Sequence, residues 1–158
     1  METKWDHRFL SLARFVGRWS KDRSTGVGCI IVDENRNVRA IGYNGFPHGA
    51  NDDVDDRHLR PAKYFWTEHA ERNAIYSAAR MGTSVHGCTM YLPWFPCMDC
   101  ARAIVQSGIS RLVACQPDLK DKTWGEQFSL AIELFRETGV CVDFAINEEK
   151  IESVVRET

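Results

Sequence analysis

Residues 28–43, GCIIVDENRNVRAIGY, hold two apolar runs on either side of a polar turn. Gly28 to Val32 is compact and β-branched, Asp33 to Asn37 supplies the turn, and Val38 to Tyr43 resumes apolar character, so the stretch predicts a two-stranded hairpin. Upstream, Phe9, Leu10, Leu12, Ala13, Phe15, Val16 and Trp19 fall close to helical spacing and predict an amphipathic helix over 6–20. Downstream, a run rich in Gly, Pro, Asn and Asp extends from Asn44 to about Pro61, longer than ordinary connections. Loops of that length in a compact domain usually form lids or walls. A helix is expected over 67–81, with His69 and Glu71 in its first turn and Gly82 past its end. A strand at 89–92, a helix opened by Pro96 and closed by Ser107 and Gly108, and a strand at 111–115 follow. A loop from 116 to 125, a helix from about 126 to 138 and a strand over 140–145 complete the pattern. This alternation predicts one α/β sandwich, a central sheet with helices on both faces, and a single domain over 1–158.

Composition narrows the function classes. Apolar residues make up 44% and charged residues 27% of the 158 positions, the mix of a globular protein with a real core. A formal charge of -2 argues against a broadly basic protein that holds duplex DNA by counterion release. The first nine residues alternate in charge and carry no apolar core, so no signal peptide is expected, and no run is long enough for a membrane span. A cytoplasmic protein is therefore expected, with no membrane partner. In a reducing compartment the six cysteines are free for metal, catalysis or packing rather than for disulfides.

Two short motifs carry the chemistry: His69-Ala70-Glu71, and Pro96 followed by Cys97-Met98-Asp99-Cys100. Each begins an expected helix. A C-x-x-C pair at a helix start can put both sulfurs on one metal, and His69 can supply a third ligand, leaving the fourth position open as in catalytic zinc sites. The partial positive charge of a helix N-terminus favours thiolate over thiol. Glu71, two residues beyond His69, is the candidate catalytic group that moves protons between water, ring and leaving amine. H-x-E followed by P-C-x-x-C is a signature of zinc deaminases. Either half alone carries little: a lone C-x-x-C fits a redox pair, and a lone histidine fits a core residue. Cys29, Cys88, Cys115 and Cys141 fall in or beside expected strands and are expected to pack as small apolar residues.

With these residues in view, TEHAERNAI (67–75) and PCMDCARAI (96–104) resemble the cytidine and deoxycytidylate deaminase superfamily. Ser24, Thr25, Val27 and Gly28 before the first strand, and GYNGFP (42–47) after the second, look like the deoxycytidylate deaminase branch. The resemblance implies a three-layer α/β/α fold with a central mixed sheet of about five strands, and one Zn2+ per chain on His69, Cys97 and Cys100. It also implies hydrolysis of dCMP to dUMP and ammonia, and a homo-oligomer, dimer or hexamer. Asn44 matches the family asparagine that faces the sugar, where an amide can both donate to and accept from a hydroxyl. Arg23 with Ser24 is the first choice for the phosphate, on the geometry of guanidinium with phosphate. Ala70 and Pro96, inside the two motifs, complete the expected substrate contacts. Arg72 either reaches substrate or pairs with an acidic neighbour, and Phe65, Trp66, Trp94 and Phe95 divide between stacking on the base and the core.

Two stretches depart from that branch. Residues 53–66 lack the extra cysteine and histidine ligands of a second, structural zinc. Residues 115–125, CQPDLKDKTWG, replace a tyrosine-bearing strand end, which leaves another free base or nucleoside, such as guanine or cytidine, open as substrate. A tRNA adenosine deaminase is disfavoured by the acidic charge and by a C-terminus without a basic helix. A zinc-stabilised binding module without catalysis is disfavoured by Glu71, since structure alone needs no proton carrier beside an open metal position.

Overall fold

In the computed structural model, which describes residues 3–145, the elements run α1 (Lys4–Gly17), β1 (Gly28–Val32), β2 (Val38–Tyr43), α2 (Lys63–Trp66) and α3 (Ala70–Arg80). They continue with β3 (Thr89–Leu92), α4 (Met98–Gln106), β4 (Arg111–Cys115), α5 (Gly125–Thr138) and β5 (Cys141–Ala145). The strands form one sheet in the order β2-β1-β3-β4-β5. β1 runs antiparallel to both of its neighbours, while β3, β4 and β5 are parallel, so the sheet is mixed as the resemblance implies. The single-domain expectation and the absence of a basic C-terminal helix both reach past 145, outside the described residues.

Side-chain alternation on the central strands builds two cores. Cys29, Ile31, Met90, Leu92, Leu112 and Ala114 face one way, against α3, α4 and α5. Ile30, Val32, Tyr91 and Val113 face the other way, against Phe9, Leu10, Ala13 and Val16 of α1. Covering on both faces is why β1 is buried at every position and reads as a continuous apolar run. Helix α1 starts on a capping box: the Thr3 hydroxyl accepts from the Asp6 amide while the Asp6 carboxylate accepts from the Thr3 amide. Among the described residues, no helix is long and apolar enough to cross a membrane.

Two glycines set how closely the layers approach. A Cβ at Gly28 would meet the Ala13 carbonyl oxygen at 2.1 Å, and one at Gly42 would meet the Ala70 carbonyl oxygen at 2.3 Å. Only glycine lets α1 rest on β1 and the first turn of α3 rest on β2 at these positions.

The element boundaries differ from expectation at the motifs. Helix α3 begins at Ala70, leaving His69 as its N-cap in extended conformation (φ -78, ψ 154). Helix α4 begins at Met98, so Cys97 is the N-cap (φ -67, ψ 171) and Pro96 precedes it rather than opening the helix. The long polar stretch holds a 3-10 turn at Asp55–His58, and the four-residue α2 after it was not expected.

Candidate active site

The α3 and α4 N-termini meet: α3 supplies His69 from its cap, and α4 supplies Cys97 from its cap and Cys100 from its first turn. His69 is fixed from three sides. Gly45 and Glu68 exchange backbone hydrogen bonds of 3.0 and 2.8 Å, the Glu68 carboxylate accepts from the His69 amide at 3.0 Å, and the Asn73 side chain donates to the Tyr43 carbonyl at 2.8 Å. Arg72 does not reach into the cleft, because its guanidinium is paired with Glu68.

Nδ1 of His69 lies 3.5 Å from Sγ of Cys97 and 3.5 Å from Sγ of Cys100. Tetrahedral zinc with ordinary Zn–S and Zn–N bonds would hold a sulfur and a nitrogen about 3.6 Å apart, so the side chains present fit the ion. Among the described residues they are the one His/Cys/Asp/Glu group whose ligand atoms converge in this way, all within 4.8 Å of one another. The protonation pattern supports the same reading. The Cys100 hydrogen bond and the His69 imidazole, against the cost of burial, hold the Cys97 thiol down at about 4. The neighbouring Cys97 and burial push the Cys100 thiol far up, so the two thiols oppose each other's ionisation. A divalent cation removes that conflict, because a coordinating thiol is deprotonated outright.

Glu71 is 4% exposed, and burial raises its carboxyl above the usual range, opposed chiefly by the charge of His69. A buried carboxyl with raised proton affinity next to the ligand set is suited to accept and return a proton.

Above these residues opens a cleft of about 780 Å³, its mouth included, with His69, Glu71 and Cys97 at its floor. Ser24, Asn44 and Ala70 line it, whereas Arg23 and Pro96 do not. Arg23 is exposed and turned away into an ion pair with Asp55 at 2.5 Å, an alternative satisfied by a carboxylate of the long polar stretch. Both ends of the Asn44 amide are engaged by backbone, with Oδ1 accepting from Val27 N at 2.8 Å and Nδ2 donating to Thr25 O at 2.9 Å. That arrangement shapes the cleft wall between β1 and β2. Of the four aromatics beside the motifs, Trp94 and Phe95 line the cleft, Phe95 being also part of the core, while Phe65 is 86% exposed and Trp66 stacks under Arg57. Cys29 and Cys88 pack in the core as expected, but Cys141 is exposed, because β5 is an edge strand.

The cleft also contains residues that motif reading missed. Lys63 donates to the Asp22 carboxylate at 2.8 Å and to the Ser24 hydroxyl at 2.5 Å, and Asp22 in turn accepts from the Ser24 hydroxyl and amide. Burial would raise Asp22, but the Lys63 ammonium and the Ser24 donors outweigh it and hold the carboxyl at about 2. Arg60 also lines the cleft, its guanidinium 5.9 Å from the Tyr64 ring centroid. Trp124 and Phe128 close another wall. A cationic Arg57, Arg60 and Lys63 inside a polar stretch was the one available signal, and without the fold it marks no position.

The α/β/α fold and its three convergent ligands beside a buried carboxylate define a metal-dependent hydrolase site. Residues 3–116 match the family described as the cytidine and deoxycytidylate deaminase zinc-binding region. The chain is 43% identical over 144 residues to a protein of Aliivibrio fischeri described as an uncharacterized deaminase in the luxG 3′ region, covering 89% of this chain and 92% of that one. It is 34% identical over 142 residues to the deoxycytidylate deaminase of Homo sapiens, covering 87% and 77% of the two chains. Among solved structures, the dCMP deaminase of cyanophage S-TIM5 in complex with dCMP and dUMP has the same fold, with a TM-score of 0.73 at 24% identity over 92% of this chain and 99% of that one. The chain therefore belongs to the cytidine and deoxycytidylate deaminase family. It is a zinc-dependent hydrolytic deaminase.

Proposed function

We propose that this protein hydrolyses dCMP to dUMP and ammonia, with zinc on His69, Cys97 and Cys100 and with Glu71 as the proton carrier. The relatives named as deoxycytidylate deaminases support the substrate. The observation that carries the reading is the combination of buried Glu71 beside the ligand set with Lys63, Arg60 and Ser24 lining the same cleft.

Held by His69, Cys97 and Cys100, zinc would supply a Lewis acid that eases the ionisation of water. Water adds to the ring carbon that bears the amine, and the bond to that amine breaks. Glu71 accepts the proton of the attacking water, gives it to the ring nitrogen, and later moves a proton to the leaving amine, which departs as ammonia. The buried position of Glu71 keeps its proton affinity high enough to both accept and donate.

At the other end, Ser24, Lys63 and Arg60 offer a hydroxyl and two cations to a monophosphate, a set suited to charge-assisted bonding. That end favours a monophosphate over a nucleoside or free base. The reading includes a cytoplasmic homo-oligomer, for which exposed Leu59, Phe65 and Met81 supply apolar surface; sedimentation of the purified protein tests the assembly. The function is tested by measuring ammonia release from a panel of dCMP, CMP, deoxycytidine, cytidine and guanine. Release is expected to be fastest from dCMP, and silence on dCMP removes the proposal.

A further inference from the structure

The 115–125 stretch, which departs from the expected branch pattern, delivers an indole to the ligand set. Trp124 is half-buried at the start of α5, and its ring stands edge-on to the His69 imidazole at 6.0 Å between centroids. The Tyr64 ring packs edge-on with the same indole, 6.3 Å between centroids. Outside this pair lies a second, open recess bordered by Arg72, Asp99 and Gln127. Tyr64, Thr67, His69, Cys97 and Trp124 line both the cleft and the recess, so the two rings are part of the boundary between them.

The loop holds the indole in place. The Asp121 carboxylate accepts from the Thr123 and Trp124 amides at 2.8 Å each, and the Gly125 amide donates to the Asp121 carbonyl at 3.0 Å. A Cβ at Gly125 would meet the Leu119 carbonyl oxygen at 2.4 Å, so the turn closes tightly only with glycine there.

We propose that Trp124 is a specificity-determining residue that limits the bulk tolerated on the reacting edge of the base, at the exocyclic amine and at the ring carbon beside it. This rests on the dCMP reading above. The carbon that loses its amine must sit at the ligand set, so the reacting edge is the part of the substrate closest to His69 and Cys97. The wall standing on His69 at that point is the Trp124 indole, and beyond it is space. Removing the indole joins the cleft to the recess next to the reacting edge. A single methyl group in a fitted pocket is worth roughly ten- to two-hundredfold in discrimination.

The test measures kcat/KM of the zinc-loaded wild type, Trp124→Ala and Trp124→Phe on dCMP, N4-methyl-dCMP (which releases methylamine) and 5-methyl-dCMP. In Trp124→Ala the ratio of at least one methylated substrate to dCMP is expected to rise tenfold or more. Trp124→Phe, which keeps an aromatic wall, is expected to move it less. Ratios that stay within about twofold of wild type in a folded Trp124→Ala overturn the proposal. Should that variant fail to fold, Tyr64→Ala, on an exposed ring, carries the same comparison with the same two outcomes. Wild-type protein that releases no ammonia from dCMP overturns the function reading and this inference together, whereas an active wild type with unmoved ratios overturns this inference alone.

Discussion

Nδ1 of His69 stands 3.5 Å from Sγ of Cys97, although 28 positions separate the two residues. Each is the cap of its helix, and two caps brought tip to tip place an imidazole and a thiolate where helix dipoles favour the ionised sulfur. The purified protein is accordingly expected to hold one zinc per chain by elemental analysis. Cys97→Ser is expected to lose most of that zinc and to lower turnover by roughly a hundredfold or more, since even residues that only orient ligands cost up to that much. Stoichiometric zinc in Cys97→Ser contradicts the assignment.

Glu71 is buried beside the same ligands but is not one of the converging three. Glu71→Gln keeps the shape and removes the carboxyl that must gain and lose protons. Its zinc content and melting temperature are expected to match wild type, with turnover down about 10²–10⁴-fold. Turnover within tenfold of wild type would assign the proton transfer to another group.

How much of this was legible beforehand follows from the range of the interactions involved. β1, β2, β3 and β4 stand where their apolar runs predict, because strand position is written in short apolar runs bounded by turn residues. The convergence of His69, Cys97 and Cys100, with Glu71 buried, is legible because a metal site demands those residue types at fixed spacing. Lys63 was not legible: it lies on a four-residue helix just past the polar stretch, too short for periodicity to say anything, and it is paired there with Asp22, 41 positions away. Arg23 shows the opposite case. Its sequence neighbourhood favours the cleft, yet Asp55 draws the guanidinium outward. Cys141 is exposed because the sheet order places its strand at an edge, which alternation alone does not reveal.

Lys63 ties the Ser24 hydroxyl and the Asp22 carboxylate together at the cationic end of the cleft. Lys63→Met keeps the stem and removes the charge. The KM for dCMP is expected to rise about 10–100-fold, the worth of one hydrogen bond to a charged group, while the slower reaction on deoxycytidine, which has no phosphate to hold, changes little. Equal losses on both substrates would make Lys63 a support for Asp22 rather than a phosphate contact.

Far from the cleft, Asp6 joins α1 to the sheet. Its carboxylate is 1% exposed and accepts from the Arg111 guanidinium at 2.9 and 3.1 Å and from the Tyr91 hydroxyl at 2.9 Å. Burial alone would raise this carboxyl, but the Arg111 hydrogen bonds, with those from Thr3 and Tyr91, bring it down from 3.8 to about 2. A carboxyl depressed in the folded state stabilises the fold fully above its unfolded value, and that contribution disappears as pH falls toward the folded value. The window is therefore pH 4 to 2, and the shift corresponds to about 2 kcal/mol. Asp6→Asn, which resembles the protonated form, is expected to be about 2 kcal/mol less stable at pH 7 and to lack this part of the acid sensitivity. Urea unfolding of both proteins from pH 7 to pH 2 measures it, and zinc release at low pH is common to both, so it cancels in the difference. Stability curves that run parallel across that window would show that Arg111 does not hold the Asp6 charge.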